Sequence, residues 1–365
     1  MRFVTFSLLC SCVLLAGCGS ASSGGSGGSI TTPVTPTVSN PVTVSGIHLL
    51  RNGSSWIPHG VVMIAFVAPP TAAKGVYLSA ANAYTPAEFT AIKAWGADTV
   101  RMQVSQPGLD PQNALFTQSF VNSVQAAVTA ARAAGLNVII SDQDESQSGE
   151  TSPTTFPYAA TQRVWAELAP LFNGDTGIMY EMMNEPQPTA NTTNWGLWQT
   201  AMNAVITTIR NTGSKNVLLA DGLQYAGTFS GAPLLTDPLG QVAYASHPYF
   251  YQASDETTSS FMTRFGNFAQ TAPVVVTEWS TPYSDFCDST TPAASLTFEQ
   301  YLQSTGIGLM AFAYDLPTGL GSITTNFSGS PTTFANSIAC GTPGFGPGKI
   351  TQVWYDTGIP STILQ

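Results

Sequence analysis

Eight apolar runs of strand length recur along the chain: HGVVMIAFVA, DTVRMQVS, NVIISDQ, GIMYEMMN, NVLLADG, VAYASHPYF, PVVVTEWS and GLMAFAYD. Their apolar residues are largely continuous, as in parallel strands covered on both faces. Segments of helical period lie between most of them. FTQSFVNSVQAAVTAARAAG predicts a helix closed at Gly135, and NWGLWQTAMNAVITTIRNTG one closed at Gly213, because glycine readily takes the left-handed conformation that ends a helix. The fifth connection, Leu223 to Gly240, is short and rich in Pro and Gly, so a stunted helix is expected there. Eight such units predict a (β/α)8 TIM barrel, an α/β fold with a single domain over residues 42–365. A doubly wound open sheet is the competing arrangement, but no Gly-rich nucleotide loop follows any strand.

The first segment stands apart from this pattern. Arg2 precedes an apolar stretch from Phe3 to Leu15, too short for a membrane span and read as an export signal over 1–17. Its end, Leu15-Ala16-Gly17-Cys18, resembles the lipobox of bacterial lipoproteins, which implies lipidation of Cys18. An ordinary secretory signal cut nearby is the other reading. Residues 18–41 form a Gly/Ser tract followed by a Pro/Thr tract, a tether without core-forming periodicity. Together they place the domain outside the cytoplasm, held by lipid at the outer membrane or cell surface.

Composition narrows the class of partner. Only 9% of residues are charged and the formal net charge is −10, so no basic surface is available to neutralise nucleic acid phosphates. A neutral polymer fits better. With Cys10 and Cys12 in the signal and Cys18 assigned to lipid, Cys287 and Cys340 remain, and an exported pair is expected to form a disulfide joining two loops. Two isolated thiols lack partner ligands for a metal site.

The chemistry is carried by two glutamates at the ends of apolar runs, Glu185 in GIMYEMMNEP and Glu278 in PVVVTEWS. Glycosidic cleavage needs such a pair, one protonated to serve the leaving oxygen and one ionised to attack or stabilise the sugar carbon. In a (β/α)8 barrel the C-terminal strand ends form the reactive face. Arg101 is placed there on the second strand, Asn184 with Glu185 on the fourth, His247 and Tyr249 on the sixth, and Glu278 with Trp279 on the seventh. Glu181, four residues before Glu185, is expected to be a buried support, and His48 and His59 to be structural.

Taken together, these residues resemble glycoside hydrolase family 5, the cellulase-like family of retaining (β/α)8 glycosidases. The opening VSGIHLLRNGSSWIPHGV resembles that family's hairpin before the first barrel strand, and MMNEP, SHPYF and TEWS follow in its order. The resemblance implies that Glu185 is the acid/base and Glu278 the nucleophile, with Asn184 on the sugar 2-hydroxyl. It also implies that Arg101 and Tyr249 hydrogen-bond Glu278 and that His247 supports Glu185 or the sugar. The implied substrate is a neutral β-linked polysaccharide or oligosaccharide, cut by a monomeric enzyme of endo-β-glucanase or β-mannanase type. No cofactor or metal is expected. A glycan-binding lipoprotein that does not cut, or a transglycosylase on the same scaffold, are the alternatives.

Sugar sites also use aromatic faces. Trp195, Trp198, Tyr225, Phe250, Tyr251, Trp279, Tyr283 and Tyr314 are candidates, with Trp279 and Tyr314 preferred. Two departures from the family pattern bear on specificity. Where many members carry histidine near the end of the third strand, this chain has Asp142, Asp144 and Glu145; where the eighth strand usually presents tryptophan, it has Tyr314 and Asp315. Both positions, Asp142 included, are accordingly expected to border the cleavage subsite, where the acidic cluster could bind sugar hydroxyls or a cation or form a solvated loop, with hydroxyls or solvent favoured over metal.

Overall fold

The computed structural model describes residues 40–75, 84–280, 286, 288–316 and 323. The chain divides into units 1–37 and 38–365, and the described residues all belong to the second. Cys18, Tyr283, Cys287 and Cys340 lie outside them, and with them the expected signal, tether and disulfide.

A small antiparallel sheet opens the domain: β1 (Val42–Ser45), β2 (His48–Arg51) and β3 (Ser54–Ser55). The turn between β2 and β3 is Asn52-Gly53, with φ of +55° and +77°. That is the two-residue hairpin geometry whose twist suits the flanking strands. The sheet is fastened to the N-terminal ends of barrel strands. Asp98 takes hydrogen bonds from Arg51 (2.9 Å) and from the Trp56 indole (2.6 Å), and the Val42 amide donates to Thr176 O (3.0 Å).

Eight parallel strands then close a barrel: β4 (His59–Phe66), β5 (Thr99–Ser105), β6 (Asn137–Gln143), β7 (Ile178–Glu181), β8 (Leu218–Asp221), β9 (Val242–Ser246), β10 (Val274–Trp279) and β11 (Gly308–Ala311). Ring closure is direct, with β11 pairing to both β10 and β4. Each run read from the sequence holds one strand, usually trimmed where the chain turns toward the reactive face. Gly60 marks a close approach in this ring, since a Cβ there would lie 2.3 Å from Met310 Sδ and 2.5 Å from Thr99 O.

Strand parity sorts the core into two layers. Val100, Met102, Val138, Ile140, Tyr180, Leu218, Tyr244, Val276 and Leu309 face outward, where they pack with helix residues such as Val124, Val128, Trp198 and Phe298. Val62, Ile64, Ile139, Met179, Leu219, Ala245, Val275 and Met310 fill the interior. The two expected helices run from Gln118–Ala133 and Thr192–Asn211, and Gly135 and Gly213 follow them with φ of +81° and +85°. No helix forms between Leu223 and Gly240. Among the described residues, no helix is long and apolar enough to cross a membrane.

Candidate active site

At the C-terminal end of the barrel the inward positions turn from apolar to ionisable. Arg101 and Gln103 on β5, Glu181 on β7, Asp221 on β8, His247 just past β9 and Thr277 with Glu278 on β10 converge there. Neighbouring residues on a strand normally point to opposite faces. Thr277 and Glu278 both face inward because the pairing of β10 with β11 slips between Val276 and Trp279, the irregularity that a bulge introduces.

Glu278 is buried and receives three donors. Arg101 Nη1 (2.7 Å) and Gln103 Nε2 (2.8 Å) reach its Oε2, and the Tyr249 hydroxyl (2.8 Å) reaches Oε1. A carboxylate is the acceptor-only form that such a set of donors suits. Arg101 is fully buried in mid-strand, not at the strand end. It also donates through Nε to Glu181 (2.5 Å) and through Nη2 to Ser141 (2.9 Å) and Asn184 Oδ1 (2.6 Å). Burial opposes charge on Glu181, but Arg101 outweighs it and holds that carboxyl far below the usual range.

Glu185 has a different environment. Its backbone sits at φ +52°, a region that costs a non-glycine residue energy, just ahead of Pro186. Asp221 Oδ2 accepts its amide proton at 2.9 Å and holds the turn. Burial raises the Glu185 pKa, the nearby Glu278 adds to the rise, and the hydrogen bond from His247 opposes it. The protonated form that a general acid requires is thereby favoured.

His247 links the two carboxyl systems. Nδ1 lies 2.8 Å from Glu185 Oε1 and Nε2 lies 2.9 Å from Thr277 Oγ1. The Thr277 hydroxyl donates to Glu181 Oε1 (2.7 Å), so Nε2 must be the donor to Thr277. One proton is left for the Nδ1 to Glu185 contact, and it can reside on either partner. Burial works against an imidazolium, yet Glu278, Glu181, Glu185 and Asp221 together push the His247 pKa up to about 10.

Three expectations are corrected here. Asp142 lies between Ser141 and Gln143 on β6, whose side chains bond to each other inside the barrel, so its own carboxyl faces outward. It is fully buried with neither oxygen bonded among the described residues, and burial, then Asp144 and Asp110, drive its pKa well up. Trp279 is 2% exposed, packed against Phe250 and Phe298 in the helix layer. Tyr314 is 1% exposed, its ring tilted against Trp95 at a centroid distance of 5.2 Å and its hydroxyl bonded to Glu88. Neither ring is open to a sugar. Trp195, Trp198 and Phe250 are buried as well, whereas Tyr225 (51%) and Tyr251 (53%) present their rings to solvent. Tyr251 adjoins the reactive pair: its ring centroid lies 6.4 Å from that of Tyr249, whose hydroxyl bonds Glu278.

Four residues were not singled out by the sequence reading. Gln103 donates to Glu278, and its place two residues after Arg101 on the same strand face was the available signal. Asp221 anchors the Glu185 turn. Glu145, known only as part of an acidic run, accepts a hydrogen bond from Asn184 Nδ2. Phe312, just past β11, packs on the interior cluster and remains half-buried.

A closed (β/α)8 barrel with two carboxyls in unequal environments at its C-terminal face defines a glycoside hydrolase. Residues 68–315 match the model of the cellulase family, glycosyl hydrolase family 5, and the chain belongs to that family. A β-glucanase from Saccharophagus degradans shares the fold, with a TM-score of 0.64 and 20% identity over 80% of this chain and 90% of that one. A Thermomonospora fusca β-mannanase bound to mannotriose superposes with a TM-score of 0.61 and 20% identity, covering 89% of this chain and 97% of its own. The catalytic domain of Thermobifida fusca endoglucanase Cel5A, in complex with cellotetraose, gives 0.64 and 15% identity over 87% and 97%. Among curated proteins none matches by sequence.

Proposed function

We propose that this protein cleaves a neutral β-linked polysaccharide of the glucan or mannan class with retention of configuration, Glu278 acting as nucleophile and Glu185 as acid/base. One observation carries the reading: a carboxyl oxygen of Glu185 and one of Glu278 lie within 4.8 Å of each other. Retaining pairs stand about 5 to 5.5 Å apart, whereas inverting pairs need about 6.5 to 9.5 Å to admit a water. Similarity in fold to a β-glucanase and a β-mannanase supports the substrate class.

In the first step a Glu278 oxygen bonds to the anomeric carbon while the glycosidic C–O bond breaks, and Glu185 gives its proton to the departing oxygen. Arg101, Gln103 and Tyr249 hold the attacking carboxylate in place, which reduces the entropy to be lost on reaching the transition state. In the second step Glu185, now ionised, takes a proton from water as the water oxygen displaces Glu278 from the sugar. His247 remains bonded to Glu185 throughout and can stabilise the ionised form.

Glu185→Gln tests the assignment of the acid. Loss of general acid catalysis is worth about 10²- to 10⁴-fold. The deficit should be large on polysaccharide and on phenyl glycosides, and much smaller for glycosylation by a dinitrophenyl glycoside, whose leaving group needs no proton. Equal loss on all three would remove Glu185 from that role.

The leader and tether of residues 1–41 support placing this activity outside the cytoplasm, on a lipid at Cys18. Metabolic labelling with palmitate should mark the full-length parent and not Cys18→Ala. An unlabelled parent would leave an ordinary secreted enzyme.

A further inference from the structure

Asp221 ends β8, and the two-carboxylate reaction as written gives its carboxyl no part. We propose that Asp221 is a positioning residue of the reaction: by holding the main chain of Glu185 in its left-handed turn, it aims that carboxyl at the departing oxygen. The inference rests on the assignment of Glu185 as the acid.

The two reactive glutamates are held in different ways. The Glu278 carboxylate receives Arg101, Gln103 and Tyr249 directly, whereas the Glu185 carboxyl has His247 Nδ1 at 2.8 Å. The aim of Glu185 therefore depends more on its backbone. That backbone is at φ +52°, immediately before Pro186, where sterics draw a residue toward the extended region. A non-glycine residue persists in the left-handed region only where its surroundings hold it there. Asp221 Oδ2, accepting the Glu185 amide proton at 2.9 Å, supplies that restraint ahead of the proline. Beyond it, the amides of Tyr225 and Gln224 donate to Pro186 O (3.1 Å) and Pro188 O (3.2 Å). Asp221 is itself fixed, paired in register with Ala245 on β9 and accepting at its carbonyl from the Trp198 indole at 2.8 Å.

The bonding of Asp221 is the second support. The residue is fully buried, and its other oxygen, Oδ1, has no hydrogen-bond partner among the described residues. His247 Nε2 lies 3.8 Å from Oδ2, beyond hydrogen-bond reach, and is bonded to Thr277 instead. A buried carboxyl with one oxygen unbonded is a poor contributor to stability. The hydrogen bond it does make goes to the amide of the acid. A left-handed non-glycine backbone and an unbonded buried oxygen thus meet at a single contact, which points to function.

Asp221→Ala, and Asp221→Leu as its bulkier counterpart, remove the anchor and leave Glu185 in the chain. A drift of the carboxyl by about 1 Å is enough to cost about 10²-fold in rate. That loss should appear in kcat/KM for polysaccharide and phenyl glycosides and be largely absent for a dinitrophenyl glycoside, whose leaving group needs no proton. Asp221→Asn, which keeps an acceptor oxygen, should recover most of it. The contact itself is read by nitrogen-15 labelling of the glutamates, with the Glu185 amide identified by its loss in Glu185→Gln. In Asp221→Ala that amide proton should move upfield and exchange with solvent faster, and in Asp221→Asn it should return toward the parent. An unchanged Glu185 amide overturns the proposal. So does an equal loss on all three substrates, or loss of the cooperative fold in both the alanine and the leucine variant, since either makes Asp221 a structural residue. The two assignments fail separately: equal losses in Glu185→Gln would remove Glu185 as the acid, whereas leaving-group dependence in Glu185→Gln beside equal losses in Asp221→Ala would remove Asp221 alone.

Discussion

On the proposed mechanism, Glu278→Gln is expected to lower kcat on every substrate by on the order of 10⁴-fold or more, because no covalent intermediate could form and no leaving-group activation would replace the lost nucleophile. The fold should survive. Arg101 keeps its 2.5 Å pair with Glu181, and a glutamine oxygen can still accept from Arg101 or Tyr249. Thermal unfolding should therefore stay close to that of the parent, separating a catalytic defect from misfolding. Glu278→Ala with added azide supplies a sharper check. Azide entering on the vacated face should convert an activated β-glycoside to the α-glycosyl azide, a single displacement with inversion. A β-azide would show that attack on that face is not blocked by loss of Glu278 alone, and would move the nucleophile elsewhere.

The largest structural penalty should follow from Arg101→Met. That change removes the cation from a fully buried site and leaves Glu181 without its partner at 2.5 Å, Glu278 without one at 2.7 Å, and the Asn184 oxygen without one at 2.6 Å. Breaking a buried pair by deleting one member costs about 3 to 5 kcal/mol. Urea denaturation should report a loss of that size, with activity falling further because both Glu278 and Asn184 lose their orientation. Adding Glu181→Gln to Arg101→Met should return part of the stability, since the stranded charge is gone, without returning activity. Additive losses in the double variant would show that Arg101 and Glu181 do not act as one unit.

What the sequence revealed follows from how barrels are built. Continuous apolar runs are unambiguous when both faces of a strand are covered, so the eight strands and their order were legible. The reactive residues at their ends stood out for the same reason: Glu185, His247, Tyr249 and Glu278 interrupt otherwise apolar runs. Parity was the signal left unused. Ser141 and Gln143 are the small and polar members of their strand, and inward placement of that pair sends Asp142 to the helix layer. Alternation carried on from Leu309 would have turned Tyr314 inward, but Phe312 and Ala313 both pack on the interior cluster and Tyr314 lies beside Trp95 in the helix layer. For Trp279 parity alone would not have sufficed, because the slip after Val276 changes which face it takes. Glu145 and Asp221 were hidden differently. Their roles depend on where the chain turns after a strand, through Ser146–Ser148 in one case and through the left-handed backbone of Glu185 in the other. Such turns are fixed by tertiary hydrogen bonds that a linear reading does not contain.

The small sheet at the start of the domain sets the end of the barrel from which the chain enters. Asn40, the first described residue, accepts a hydrogen bond at its carbonyl from Asn137 Nδ2 (2.9 Å), and Val44 is bonded to Gln241 (2.8 Å), both at the ends of strands remote from the glutamates. The chain thus enters through the base of the barrel, like the stem of a cup. A bead or surface coupled at Asn40 would therefore hold the domain by the end of the barrel opposite the two carboxyls.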